Sequence, residues 1–356
     1  MEEIPGDPKL ALPNSPEPSY LPCVAVSGKY VHVVWWDHQF GPNGYSLRYK
    51  RSQDGGVIWD SDTSLCLDTK YDSQASVAVS DSIVHVVWQD SRRRGSFYTD
   101  ICYQRSTDWG ATWGPDARLT RDTLNYFSGL PSIGVSDSNV HVTWYDIRDG
   151  REAEIYHKYS KDLGTTWSSD TRLTYDTAHS FLSSVAVSGS NVHVVWWTDY
   201  DYDTLPAMIY YIRSTDGGES WKQEEWLTNV GAFAYPAPYI AAAGSKVHVI
   251  WMDDRDDPNC EIYYKRNLTG NTGVEVSPPV HLSPRSFVPL SVVPNPFTSF
   301  TTLPGHSSDR FALYDVSGRR VGTYKGDRIG EGLTAGVYFI KQDGKGAKPV
   351  RIVKVR

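Results

Sequence analysis

One pentapeptide pattern, V-H-V-x-W, occurs five times, at Val31–Trp35, Val84–Trp88, Val140–Trp144, Val192–Trp196 and Val247–Trp251. Successive copies start 53, 56, 52 and 55 residues apart. A fixed period of this size restricts a chain to stacked or radial repeats, because one unit alone cannot bury its apolar face. Each copy follows a short apolar stretch, such as CVAVS from Cys23 or SVAVS from Ser76 and Ser184. Each precedes an aromatic stretch such as LRYKRS, ICYQRS or IYYKRN, and a fourth short run (SLCL, ARLT, TRLT, EWLT, PVHLS) closes most units. The runs alternate with period two, are rich in Val, Ile, Tyr and Trp, and are broken by Gly, Asp, Ser and Asn, so they read as strands. Nothing between Lys9 and Ser283 reads as a helix.

Four strands per unit with a period near 50 residues describe a β-propeller blade. Five units predict five blades, with six as the alternative if the stretch Lys9–Leu12, which aligns with the fourth strands, is the remnant of another unit. Otherwise it completes the last blade, in competition with Val280–Ser283. The equivalent His32, His85, His141, His193 and His248 cannot share one metal. They are expected to pack between blades with their ring nitrogens bonded.

Four units then carry S-x-D-x-G-x-x-W: RSQDGGVIW, RSTDWGATW, YSKDLGTTW and RSTDGGESW. The carboxylates of Asp54, Asp108, Asp162 and Asp216 can accept backbone N–H bonds inside their own turns. The glycine takes a left-handed conformation, and the tryptophan is expected to cover the blade edge. The fifth unit has RNLTGNTG and lacks both the Asp and the Trp. If these 3–4 turns share one face with the 1–2 turns, the 2–3 loops and 4–1 connections share the other.

The 2–3 loops on that opposite face are rich in charge: QDSRRRGSFYTD, YDIRDGREAE, TDYDYDTLPA and MDDRDDPNCE. Three of them pair an acid with an arginine, Asp90/Arg92, Asp146/Arg148 and Asp254/Arg255, and the next strands begin with Asp100, Glu154 and Glu261. Such pairs either brace each hairpin, since guanidinium matches carboxylate geometry, or turn several arginines toward an anionic ligand. The 4–1 connections add Tyr20, Tyr71, Tyr126, Phe127, Phe181, Phe233 and Tyr235. Arginines, acids and aromatics round a concave mouth suit a sugar, with some of these rings expected in the core between blades. The run Asp199, Asp201, Asp203 offers oxygen ligands for Ca²⁺, but it lacks the glycine and late glutamate of an EF-hand loop. A solvated acidic loop is the expected reading; no other cofactor is indicated.

The four turns in register resemble the Asp-box, or BNR repeat, of the sialidase superfamily over roughly Lys9–Ser283. That resemblance implies structural turns on the face away from the active site. A sialidase-like site would use three arginines on a substrate carboxylate, for which Arg92, Arg148 and Arg255 are candidates. A nucleophilic tyrosine would come from Tyr126 or Tyr235, paired with Glu154 or Glu261. The Arg-Ile-Pro motif of that family is absent, glutamate is scarce, and the family usually has six blades. The favoured function is therefore recognition of a glycan or cell-surface ligand. The alternatives are an exo-acting, sialidase-type glycoside hydrolase on an acidic sugar and a non-catalytic adhesive scaffold, since fold alone does not carry activity.

Composition removes other classes. With 42 acidic against 35 basic residues the net charge is −7, without the basic stripe of a nucleic-acid surface. No apolar run approaches the roughly 20 residues of a membrane-spanning helix. Cys23, Cys66, Cys102 and Cys260 form no metal-ligand spacing. They read as small buried residues, with a Cys23–Cys66 disulfide left open.

After Ser283 the composition shifts. A Pro-rich linker, 284–291, leads into residues 292–356, whose strands and hairpin turns predict a small antiparallel β-sandwich. Pro294-Asn295-Pro296-Phe297, Leu313-Tyr314-Asp315 through Gly318-Arg319, Leu333 through Gly336-Val337-Tyr338, and Ile352–Val355 lie in this stretch. In order and spacing they resemble the type A C-terminal sorting domain of type IX secretion systems. The resemblance implies export across a bacterial outer membrane to the cell surface or medium, with the secretion machinery as a partner. Such proteins also carry a signal peptide, and MEEIPGDPKL shows none.

Overall fold

The computed structural model describes residues 10, 19–38, 45–69, 74–92, 98–120, 127–150, 152–175, 178–199, 207–228, 237–253, 261–267, 301–302, 310–315, 319–325, 328–329, 332–342 and 350–355. The chain divides into two compact units, Met1–Leu282 and Ser283–Arg356. Every regular element described is a strand.

In the first unit, sheet 1 contains β1 (Ser19–Ser27), β2 (Tyr30–His38), β3 (Tyr45–Ser52) and β4 (Thr63–Thr69). Sheet 2 contains β5 (Ala75–Ser80), β6 (Ile83–Asp90), β7 (Asp100–Ser106) and β8 (Ala117–Arg118). Sheet 3 contains β9 (Ser128–Ser136), β10 (Asn139–Asp146), β11 (Glu154–Ser160) and β12 (Thr171–Arg172). Sheet 4 contains β13 (His179–Ser188), β14 (Asn191–Asp199), β15 (Met208–Ser214) and β16 (Glu225–Trp226). Sheet 5 contains β17 (Tyr239–Ala243), β18 (Lys246–Asp253) and β19 (Glu261–Asn267). All are antiparallel meanders in chain order, the architecture of a β-propeller.

Sequence dictates which strand is innermost. The first strands lie side by side from sheet to sheet, and their small residues permit that approach. Serines at both ends of the S-V-A-V-S runs stitch them. Backbone N–H groups of Ile133, Val185 and Ile240 donate to the hydroxyls of Ser76, Ser132 and Ser184 in the preceding sheet. Gly189 and Gly244 donate likewise to Ser136 and Ser188. The V-H-V-x-W strands are buried on both faces between sheets, which is why they read as nearly continuous apolar runs. Among the described residues one face of the stack ends on Val24 and Val26 of sheet 1 and the other on Ile250 and Ile262 of sheet 5, all exposed. Lys50 of sheet 1 donates to the Leu10 carbonyl at 3.1 Å, as Lys158 of sheet 3 donates to Leu119 of sheet 2 at 2.7 Å. Leu10 thus stands toward sheet 1 as a fourth-strand residue stands toward the sheet that follows it.

Two packing expectations are corrected. The turn tryptophans do not cap their own blade. Trp113, Trp167 and Trp221 lie edge-on to Tyr49, Tyr103 and His157 of the preceding sheet, at 4.7, 5.0 and 4.9 Å between centroids. They fill the wedge that opens where radiating sheets diverge. At the repeated histidines only one ring nitrogen is shown bonded among the described residues, and that bond lies within the histidine's own sheet. Nδ1 of His32, His85, His193 and His248 meets the hydroxyl of Tyr49, Tyr103, Tyr211 and Tyr264 at 2.6–2.8 Å. Nε2 of His32, His85 and His141 is buried without a partner among the described residues. Burial, with Arg51, Arg105, Lys161 or Arg213 nearby, lowers His32, His85, His141 and His193 to about 4, so they stay neutral.

The second unit is built from β20 (Thr301–Thr302), β21 (Arg310–Asp315), β22 (Arg320–Lys325), β23 (Arg328–Ile329), β24 (Gly336–Gln342) and β25 (Val350–Lys354). A sheet in the order β22-β21-β24-β25 faces the two-stranded β20-β23 ribbon. Ile329 of the ribbon packs on Phe311, Leu313, Ile340 and Ile352, giving a small two-layered core. Cys23, Cys66 and Cys102 are free thiols.

Candidate functional site

The S-x-D-x-G turns use up their own polar groups. In the first, Ser52 Oγ donates to Asp54 Oδ1 at 2.8 Å and accepts from Gly56 N, while Asp54 Oδ1 also accepts from Val57 and Ile58 N–H. Ser106/Asp108, Ser160/Asp162 and Ser214/Asp216 repeat the arrangement. Bonds from Thr112 and Thr166 hold Asp108 and Asp162 at about 2. These carboxylates are turn formers, bonded mainly to backbone and hydroxyl groups of their own turns. They sit at the far ends of β3, β7, β11 and β15 from the 2–3 loops.

The opposite ends of the inner strands are distorted together. Leu21, Leu130 and Leu182 take φ of 50°, 50° and 49°, and a register shift accompanies each. A β-branch-free leucine in the left-handed region marks a bulge, which swings the strand start and re-aims neighbouring side chains. Just beside the bulges, Tyr20 faces Trp36, Gly129 faces Tyr145 and Phe181 faces Trp197 across their strand pairs.

In sheets 3 and 4 the rings join into one row. Phe127 stacks on Tyr145 (5.6 Å), Tyr145 meets Phe181 edge-on (5.2 Å), and Phe181 contacts Trp197 and the exposed His179 (5.6 Å each). Burial and then the Asp146 charge push the Tyr145 hydroxyl up, keeping it protonated. Trp197 is buried in the core between sheets 4 and 5, while Phe127, Tyr145 and Phe181 are part-exposed beside the exposed His179.

Of the 2–3 loop arginines proposed to grip a ligand, the two described, Arg92 and Arg148, are each tied to acids of their own unit. Arg92 Nη2 lies 2.5 Å from Asp90 Oδ2 and 2.7 Å from Asp116 Oδ2 of the outer-strand approach. Arg148 repeats this with Asp146 and Asp170, 2.5 Å each, and its guanidinium lies over the Tyr156 ring. The buried acids receive a second anchor from the repeat tryptophan. Trp88 Nε1 donates to Asp90 at 3.3 Å, Trp144 Nε1 to Asp146 and Trp251 Nε1 to Asp253 at 3.1 Å, and Thr198 takes the place in sheet 4. The fifth unit's equivalent acid is therefore Asp253, one residue before the Asp254 that loop alignment selects. Burial opposes the Asp90 charge, but the Arg92 side chain and backbone outweigh it and hold the carboxyl below its usual range. Asp90/Arg92 and Asp146/Arg148 brace their hairpins in this geometry.

The acids that open the third strands are committed too. Glu154 accepts from Arg172 and Thr174, and Asp100 pairs with Arg118 (3.3 Å) and accepts from Thr120. Glu261 has one oxygen buried without a hydrogen-bond partner among the described residues. Asp90, Cys102 and Asp116 bring ligand atoms within 4.8 Å of one another. The Arg92 guanidinium already bridges the two carboxylates there, and burial pushes the neighbouring Cys66 thiol to about 12. This donor set houses an arginine.

Tyr71, Tyr126, Asp201, Asp203, Phe233, Tyr235, Asp254, Arg255 and Cys260 lie outside the described residues, as do linker 284–291 and Pro294–Phe297. Sequence reasoning missed Asp116 and Asp170, although the repeated D-x-R-L-T text carried them. It also missed the bulges, whose only trace is Leu-Pro at 21–22 and 130–131.

No protein-family model matches the sequence, and no curated protein is significantly similar to it. Solved structures do resemble it. The α-L-arabinanase of Penicillium chrysogenum, complexed with arabinobiose, superposes with a TM-score of 0.51 at 15% identity, over 72% of this chain and 80% of that one. The α-L-arabinofuranosidase of Fusarium graminearum, also with arabinobiose, gives 0.51 at 15% identity, over 69% and 77%. An ulvan lyase gives 0.50 at 13% identity, over 68% and 65%. The chain is an all-β propeller protein with a small second β unit.

Proposed function

We propose that the propeller unit recognises carbohydrate through the mouth formed by the bulged starts of its inner strands. The observation that carries this reading is the row Phe127–Tyr145–Phe181–Trp197 beside His179, on the face opposite the self-satisfied Ser/Asp/Gly turns. Folds of this kind in the arabinanase, arabinofuranosidase and ulvan lyase serve proteins that act on glycans, which supports the class of ligand. In this reading the turns are Asp boxes of the sialidase superfamily.

Recognition is favoured over exo-hydrolysis because Arg92 and Arg148, needed to grip a substrate carboxylate, are each locked by two aspartates. The order of motifs in the second unit supports its reading as a type IX sorting domain, and hence export to the cell surface. The test is affinity electrophoresis of the full chain in gels containing arabinan, ulvan or a sialylated glycoprotein, with reducing-sugar release followed in parallel. Retardation in at least one gel, diminished by Phe181→Ala, is expected. Turnover abolished by Arg148→Ala would establish hydrolysis instead.

A further inference from the structure

In the seams between sheets 2 and 3 and between sheets 4 and 5 a lysine of the third strand fills the outer gap, whereas sheet 2 has Gln104 at that position, donating to the Gly114 carbonyl of its own unit. Lys158 Nζ donates to the Leu119 carbonyl at 2.7 Å and pairs with Asp170, and Lys265 donates to the Leu227 carbonyl. Between sheets 3 and 4 the equivalent residue is Ile212, buried and unable to donate to the Leu173 carbonyl. The ionic filling is missing from that seam, and a groove of about 540 Å³ replaces the 370 Å³ cavity of the seam before it.

Ile212, Leu173 and Trp221 form its apolar floor. Trp221 Nε1 is buried without a hydrogen-bond partner among the described residues. Tyr175 stands at the mouth, 75% exposed. Its ring is backed by the Arg172 guanidinium at 4.9 Å, which is itself fixed by Glu154 and by the Thr174 carbonyl at 2.6 Å. An aromatic face that is both exposed and held in place loses little freedom on binding. Lys222 and Glu224 complete the rim, and Arg172, the other charged lining residue, is paired with Glu154, so the charges around the groove balance.

We propose that this groove is a second saccharide subsite, on the outer strands rather than at the axial mouth, which takes one neutral sugar ring. The ring's apolar face lies on Tyr175, and its hydroxyls reach the Lys222 and Glu224 side chains. The subsite stands on this seam alone and goes beyond the reading of the mouth.

The test is titration of the full chain with arabinobiose, cellobiose and galactobiose, followed by tryptophan fluorescence and calorimetry. Saturable millimolar binding of at least one disaccharide is expected. Tyr175→Ala should weaken it about tenfold, the scale of one stacking contact. Ile212→Lys should abolish it by rebuilding the filling of the neighbouring seams. Wild-type affinity in Ile212→Lys, or no saturable binding of any of the three sugars, overturns the proposal. If Ile212→Lys fails to fold, Tyr175→Ala decides, because an exposed ring is not needed for folding. Binding lost only in Phe181→Ala assigns the sugar to the mouth and overturns the subsite.

Discussion

Sheet 3 departs from its neighbours at one buried position, and the departure predicts an acid-labile seam. In sheets 1, 2, 4 and 5 the repeat histidine meets a tyrosine hydroxyl, but in sheet 3 His141 Nδ1 meets His157 Nε2 at 3.0 Å. Both rings are fully buried, and His157 Nδ1 and His141 Nε2 have no partner among the described residues. The neutral pair shares one proton, and a second would place an uncompensated charge there. Burial, then Lys161, lowers His141 from 6.5 to about 4, and burial, then His141, lowers His157 well below its usual value.

A histidine depressed in the folded state favours unfolding wherever the unfolded chain binds the proton first. Stability is therefore intact above about pH 6.5 and falls as pH drops toward 4. The His141 shift alone corresponds to about 3 kcal/mol. His157→Tyr removes one of the two imidazoles and restores the partner used elsewhere. Room exists because Gly218 of the next sheet abuts His157 as Gly110 abuts Tyr49. All 13 tryptophans precede residue 283, so urea unfolding followed by their fluorescence reports the propeller unit alone. Near pH 7.5 the variant should match the wild type within about 1 kcal/mol, and near pH 4.5 it should be more stable by about 2–3 kcal/mol. An equal difference at both pH values would refute the argument, since an acid effect must vanish where neither state binds the proton.

Three further outcomes follow from the packing. Gly110→Ala should cost about 3 kcal/mol in urea unfolding, because φ is +81° and a Cβ would meet the Tyr49 ring of the preceding sheet. Arg148→Ala should also cost about 3 kcal/mol, by leaving buried Asp146 without its cation, while retardation in glycan gels stays unchanged. Ser132→Ala should cost about 1 kcal/mol, as the Val185 N–H loses its acceptor in the neighbouring inner strand, and hydrogen exchange at Val185 should quicken.

The strands, their order and the two faces were legible because a period-two apolar pattern repeated five times admits few arrangements. Partnerships between units were not. Trp113 reads as the end of its own hairpin, yet it packs on Tyr49, a residue more than sixty positions earlier. Asp116 and Arg92 sit in different loops of one unit, and nothing in either loop says that they meet. The bulges at Leu21, Leu130 and Leu182 were invisible for another reason: leucine has no preference for the left-handed region, so the strain comes from the surrounding strands.

The same comparison explains where function concentrates. Each repeated position does one structural task in every sheet, so a ligand site must come from places where the repeat is broken. The broken places are His157 for tyrosine, Ile212 for lysine, and Tyr145 and Phe181 beside the bulges. These fall in sheets 3 and 4, while sheet 2 breaks the lysine position with Gln104 and sheet 1 carries a bulge of its own at Leu21. The two candidate surfaces, one at the inner strands and one at the outer, therefore share the same pair of blades, and a sugar chain crossing that seam would meet aromatic rings at both ends.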